Sequence, residues 1–248
     1  MIKKLAELGS YVILMGRVFS RPVKRRVFFR QLIDEMDKLG LNSIGIVMII
    51  SFFIGTVVVI QMAINLDNPF IPRYLIGYAT RETLILEFSS TIVALILAGK
   101  VGSNIASEIG SMRITEQIDA LEIMGLNSAN YLILPKIVAA LIFFPFLTVL
   151  SMFVGILGGY MIVFSLGKLT PDDYITGICY GFKPYSVVYG ITKAFVFGYI
   201  VTSVAAFYGY YAKGSSLEVG KSSTKAVVTA TIAVLIFNLI LTKLFFRY

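Results

Sequence analysis

Glu116, Asp119 and Glu122 recur every three residues in the stretch SEIGSMRITEQIDALEIMGLN, residues 107–127. Ile114, Ile118, Leu121 and Met124 run through the same stretch at steps of four, three and three. On a helix the two sets line different faces, one acidic and one apolar. Gly125 and Asn127 are stop signals, and Pro135 lies beyond. Four acids and one arginine leave the segment with a net charge of −3. A short helix of this kind suits docking in a groove on a partner. The alternative, a helix packing its stripe on lipid, is opposed by repulsion between that charge and anionic head groups.

Other polar residues stand inside apolar tracts. Glu87 has two readings: it lines a head-group cavity or fixes its helix against another, or it sits near the outer interface in water. Gln61 and Asn65 are one helical turn apart; Gln61 is read as cavity-lining and Asn65 as joining helices. Lys193 is expected to snorkel outward on its long stem. Asn238 fits a helix–helix hydrogen bond, and Gly155 and Gly159 have the spacing of closely packed membrane helices. Pro145 is expected to kink its helix. None of these makes a catalytic centre. The chain has no histidine and one cysteine, Cys179, which excludes imidazole chemistry and an internal disulfide. It has no glycine loop ending in Gly-Lys-Ser or Gly-Lys-Thr to cradle phosphate.

The elements that must position these groups are membrane helices. Of 248 residues, 57% are hydrophobic and only 15% charged, too few charges for a soluble surface. Lys and Arg outnumber acids 22 to 14, but they border apolar tracts, which argues for head-group anchors and against nucleic acid. Windows near the roughly 20 residues that cross a bilayer place spans at about 39–66, 78–105, 131–164, 185–211 and 225–245. With the N-terminus inside, the inner segments hold fifteen Lys or Arg and the outer ones six, so the N-terminus is expected in the cytoplasm. Residues 1–38 are expected to form interfacial amphipathic helices parted at Pro22, rather than a cleaved signal. Residues 39–248 form the five-span domain. Thr170-Pro171-Asp172-Asp173 starts a short outer helix: a cap, a proline at the first position and two acids at the positive dipole end. The fold class is all-α, with five transmembrane helices, N-terminal interfacial helices, a cytoplasmic coupling helix over about 107–127 and a short periplasmic helix.

Several strings carry a family resemblance. Asp119-Ala120-Leu121, Gly125 and Ile133-Leu134-Pro135 look like the coupling loop of ABC-transporter permeases. More specific are Ala98-Gly99-Lys100-Val101-Gly102-Ser103, Ser107-Glu108-Ile109-Gly110, Thr115-Glu116-Gln117 with Leu121-Glu122-Ile123-Met124, and Leu134-Pro135-Lys136. These resemble the MlaE/YrbE family of bacterial lipid permeases. Arg30-Gln31-Leu32, Phe53-Ile54-Gly55 with Gln61, Gly155-Ile156-Leu157-Gly158-Gly159, and Val219-Gly220 with Ser223-Thr224 and Ala226-Val227-Val228 extend the likeness over about residues 28–245. The chain departs where the family usually has Arg-Glu-x-Gly-Pro: it reads Leu86-Glu87-Phe88-Ser89-Ser90, keeping only the glutamate.

The resemblance implies a permease in the bacterial inner membrane that moves phospholipid or a related lipid to or from a periplasmic carrier. It implies a central homodimer, cytoplasmic ABC ATPase subunits that bind the ATP and Mg, a periplasmic ring of MCE-domain protein and, as a further partner, a STAS-domain subunit. No cofactor is expected in this chain. Glu108, Glu116, Gln117, Asp119, Leu121, Glu122 and Gly125 are the expected ATPase-coupling residues. Val57, Val58, Gln61, Asn65, Leu66, Glu87, Leu95, Phe237 and Leu241 are the expected lipid-cavity residues. A secondary transporter or channel would need inverted repeats or paired mid-bilayer charges, and neither is evident in the sequence. A lipid-modifying enzyme would have few groups for acid–base work.

Overall fold

The computed structural model describes residues 2–20, 25–66, 68, 70–167 and 169–246. All regular structure among them is helical. Helix α1, Ile2–Phe19, comes first. Helix α2, Arg25–Glu35, passes through a π-helical turn, Met36–Leu41, into α3, Asn42–Asn65. The expected border at 38/39 therefore falls inside one continuous helical run. The expected break at Pro22 lies outside the described residues.

Helix α4, Tyr74–Thr83, α5, Ser89–Leu97, and α6, Ser103–Ile114, are joined by π-helical turns at Leu84–Phe88 and Ala98–Gly102. A short α7, Gln117–Ile123, precedes α8, Ser128–Leu166. Pro145 is accommodated inside α8 without ending it. Helix α9, Pro171–Cys179, has the cap its sequence calls for, with Thr170 Oγ1 accepting from the Asp173 N–H. Helices α10, Pro184–Tyr210, and α11, Ser216–Phe245, complete the chain. Five runs are long and apolar enough to cross a membrane: Arg25–Asn65, Tyr74–Ile114, Ser128–Ser165, Pro184–Tyr210 and Ser216–Phe245. The protein is an all-α, multi-pass membrane protein.

The chain divides into two compact units. The first comprises Met1–Asn42, Ala94–Phe143 and Val196–Ile240. Here α1 is tied down along its length. Tyr11 donates to Ser203 Oγ at 2.8 Å, and Asn127 Nδ2 donates to the carbonyls of Arg17 and Ser20 at the end of α1. Leu97, Ile105, Ala106 and Ile109 are fully buried. Gly209 lets α10 close on α6, since a Cβ there would lie 2.8 Å from the Ala106 carbonyl oxygen.

The second unit comprises Ser43–Val93, Phe144–Phe195 and Leu241–Tyr248. Its centre is a glycine seam between α3 and α8. A Cβ on Gly55 would come within 1.8 Å of the Gly155 carbonyl oxygen, and one on Gly158 within 2.3 Å of that of Phe52. Only small residues allow such approach. The freed space is used for hydrogen bonding: Ser51 Oγ donates to Ser151 Oγ at 2.8 Å, and Thr56 Oγ1 to the Gly158 carbonyl at 3.2 Å. Tyr174 of α9 is fully buried against Val59, Ala63, Ile76 and Val163.

Candidate functional site

The acidic segment is not the single helix expected over 107–127. Helix α6 ends at Ile114, the chain turns at Thr115 and Glu116, and α7 follows. Glu116 sits at φ +60, the one positive value among the described non-glycine residues. A left-handed conformation at a residue with a Cβ is disfavoured by about 1–2 kcal/mol. The surroundings hold it: Thr115 Oγ1 donates to the Ser111 carbonyl at 2.8 Å, and Gln117 Nε2 donates to Thr115 Oγ1 at 3.0 Å. The other end is equally defined. Gly125, at φ +75, closes α7, with its N–H on the Glu122 carbonyl and that of Leu126 on the Leu121 carbonyl. This is a Schellman closure, with glycine where φ must be positive. Asn127 then caps α8, its Oδ1 accepting from the Asn130 N–H at 3.2 Å.

The break changes what the acids do. Asp119 turns back across it to Arg113, with Oδ1 2.6 Å from Nη1. Glu122 Oε1 accepts from Ser128 Oγ and from the Tyr210 hydroxyl, each at 2.9 Å, while those two hydroxyls lie 2.8 Å apart. Hydrogen bonding from Ser128, then from Tyr210, with Arg113 and Arg17 nearby, holds the Glu122 carboxyl below its usual range, against the opposing effect of partial burial. The acidic face is thus tied to its surroundings while it stays accessible: Glu116 and Glu122 are exposed and Asp119 is half-buried. Glu122 ties α7 to the first residue of α8 and the last of α10, and like Glu116 and Gln117 it remains exposed.

The apolar stripe divides likewise. Ile118 is fully buried and Leu121 half-buried, but Met124 is 66% exposed. Ile123, which the stripe did not include, is 87% exposed, and Leu126 is 44% exposed. Ile123, Met124 and Leu126 flank the Gly125 turn as an apolar knob on a firmly anchored helix. Of the three only Met124 belongs to the stripe; Ile123 and Leu126 lie off its spacing, so the pattern did not single them out. Glu108 lies apart on α6, paired with Lys136 at 2.6 Å and Lys38 at 3.7 Å.

The expected cavity residues differ in exposure. Val57, Gln61 and Asn65 share an exposed face of α3 at helical spacing. Leu66 and Leu95 are half-buried, and Phe237 is 42% exposed on α11. Val58 and Leu241 are 2% and 9% exposed. They pack within the helices and offer no surface to a lipid. Val58 follows the exposed Val57, so the helical turn carries it inward.

Glu87 lies in the π-helical turn of the second span and is bonded to Lys193, with Nζ 2.8 Å from Oε2. Lys193 does not snorkel. It is fully buried on α10, donates also to the Leu86 carbonyl at 3.1 Å, and lies 4.8 Å from the centre of the Tyr189 ring. Thr91 Oγ1 also holds Glu87, donating to Oε1 at 2.8 Å. Arg81 takes no part: its guanidinium binds the carbonyls of Ile178 and Tyr180 and the carboxylate of Glu82. Of the two readings of Glu87, helix joining is what these contacts perform.

Residues 32–244 match the family described as Permease MlaE. The chain belongs to that family. A probable ABC transporter permease protein of Synechocystis sp. is 34% identical over 243 residues, covering 97% of this chain and 91% of the relative. One of Rickettsia bellii is 31% identical over 246 residues, covering 99% and 95%. The intermembrane phospholipid transport system permease protein MlaE of Haemophilus influenzae is 30% identical over 235 residues, covering 94% and 89%. Against the MlaE pattern, the departure at Leu86-Glu87 acquires a physical meaning. The cation beside the glutamate comes from Lys193, one helix away, rather than from the preceding residue.

Proposed function

We propose that this chain is the membrane subunit of an ABC transporter that moves phospholipid or a related lipid, and that a separate ATPase drives it through α7. The observation that carries the coupling is the knob of Ile123, Met124 and Leu126. Apolar side chains this exposed, on a helix anchored through Glu122 and Asp119, are suited to a groove on a partner. The anchoring makes α7 a lever. Displacement of the knob is passed through Glu122 to the ends of α8 and α10, two helices that continue into the spans. The names of the relatives support lipid as cargo, and the lack of a phosphate-cradling loop supports ATP and Mg binding on another subunit. Under this reading the chain is a non-catalytic permease of the bacterial inner membrane. Its N-terminus and α7 lie in the cytoplasm, it pairs with a second copy, and it works with a periplasmic MCE-domain ring.

The test is co-purification of the ATPase with the double variant Ile123→Asp, Met124→Asp. Both side chains project outward, so the membrane helices are expected to remain folded while the nucleotide-binding subunit is lost. Full retention of that subunit would remove α7 as the docking element. Lipid transfer between vesicles and an MCE-domain acceptor, stimulated by ATP in the intact complex and not in the variant, tests the cargo.

A further inference from the structure

Lys136, near the start of α8, is 2% exposed and bridges two carboxylates. It donates to Glu35 Oε1 at 2.7 Å and to Glu108 Oε2 at 2.6 Å. Lys38 approaches the other oxygen of Glu108 at 3.7 Å. One atom is left over: Glu35 Oε2 is buried without a hydrogen-bond partner. An ionised oxygen out of water and unpaired is costly, so its position calls for a donor. Glu35, itself 9% exposed, forms part of the wall of a cleft of about 620 Å³ between α2, α6 and the start of α8. The terminal torsion of a glutamate is soft, so a small turn of the carboxylate offers that oxygen to the cleft.

The charges of the cleft are layered. At its inner wall Lys136 holds two carboxylates, the buried Glu35 and the half-buried Glu108; Lys38 reaches Glu108 from the exposed side, and Asp34 adds an exposed negative charge on α2. The exposed part carries Arg26 and Arg30, one helical turn apart on α2. A simple anion would meet the carboxylates, and a simple cation would have to pass the arginines. A ligand with a terminal ammonium and a phosphate just behind it matches both layers. Helix α2 also presents Phe29 and Ile33, 58% and 65% exposed, and runs without interruption into the first span. Arginines interleaved with exposed apolar side chains at the entry to a membrane helix mark the head-group layer of a bilayer.

We propose that this cleft is a binding site for the head group of an amine-bearing phospholipid of the ethanolamine type. Its ammonium donates to Glu35, its phosphate lies between Arg26 and Arg30, and its acyl chains run along Phe29 and Ile33. The site shares no residue with the α3 face that carries Val57, Gln61 and Asn65. It depends neither on which lipid is transported nor on the ATPase.

The test places a photoreactive benzophenone side chain at position 112, where Met112 lines the cleft. The full chain is reconstituted in nanodiscs with equal parts of ethanolamine, choline and glycerol phospholipids, and the cross-linked lipid is identified by mass spectrometry. Ethanolamine lipid is expected to exceed choline lipid by about tenfold, the scale of one charge-assisted hydrogen bond. Glu35→Gln is expected to abolish that preference. Because Glu35 supports the buried Lys136, a second variant, Arg30→Gln at an exposed position, keeps the test open should the first fail to fold. It is expected to lower total lipid adduct several-fold. Adducts that follow lipid abundance in the unmodified background overturn the proposal, as does a yield unchanged by Arg30→Gln. Two further outcomes replace the lipid with another occupant. Competition by millimolar phosphoethanolamine in solution points to a soluble ligand, and adducts to protein rather than lipid in the intact complex point to a partner subunit. A failed lipid-transfer assay leaves all these outcomes readable.

Discussion

At the scale of single residues, the Glu87–Lys193 pair is asymmetric, and the asymmetry is testable. The Lys193 side chain is fully buried, while that of Glu87 keeps 39% of its surface exposed. Removing the carboxylate strands a fully buried ammonium; removing the ammonium leaves a carboxylate that is only partly enclosed by the protein. Glu87→Gln is therefore expected to destabilise the protein by about 3 kcal/mol and Lys193→Met by about 1 kcal/mol. The double variant should recover much of the larger loss, as read by thermal unfolding in detergent. Equal losses for the two single variants would place the pair in a more uniform environment than the structure gives it. The glycine seam makes a second residue-scale prediction. The clash at Gly55 is with backbone, which no rotamer change relieves, so Gly55→Ala is expected to cost at least about 3 kcal/mol, the upper end for overpacking. Gly45 has nothing within 4 Å of an added Cβ. Gly45→Ala is expected to leave stability unchanged or slightly raised by helix propensity.

At the scale of elements, α7 is where sequence reading and structure part. The five spans are legible because charge-free windows leave no other solvent for them. Helix α9 is legible because Thr170, Pro171, Asp172 and Asp173 each satisfy a local requirement of a helix start. The break at Glu116 is hidden because no glycine or proline marks it, and the apolar spacing across it fits an unbroken helix. Its cause is tertiary: the Arg113–Asp119 contact and the Glu122 junction with Ser128 and Tyr210 hold a backbone that local preference disfavours. The Lys193 contact is hidden for the same reason, since its partner is 106 positions away in sequence. The Glu122 junction has a pH signature. Its carboxyl titrates below the ordinary value of 4.5 in the folded protein, so its stabilisation is complete above that value and is lost as pH falls through the lower, folded one. Amide hydrogen exchange in α7 is expected to accelerate as pH drops below 4.5, after correction for the intrinsic rate. Glu122→Gln should show fast exchange at neutral pH and no further acid-induced change. Acid sensitivity that persists in that variant would place the titrating group elsewhere.

At the scale of the whole molecule, the lever and the lipid route are meaningful only if α7 and α9 lie on opposite faces of the membrane. One helix decides this. Helix α8 has 39 residues, about 58 Å at 1.5 Å per residue, against a hydrocarbon core of about 30 Å. Under the proposed topology it crosses once, with turns to spare, and separates Gln117 before it from Cys179 after it. Cys179 is an exposed native thiol and serves as an internal reference. With the outer membrane permeabilised, a membrane-impermeant maleimide is expected to label Cys179 in intact cells. The variant Gln117→Cys, Cys179→Ser is expected to stay unlabelled until the inner membrane is opened. The charge tally, fifteen basic residues on the inner segments and six on the outer, argues for this sense rather than its inverse. Labelling of both positions from one side would mean that α8 does not cross. The inverse pattern would put α7 beyond the reach of any cytoplasmic ATPase, and the coupling assigned to Ile123 and Met124 would fail with it.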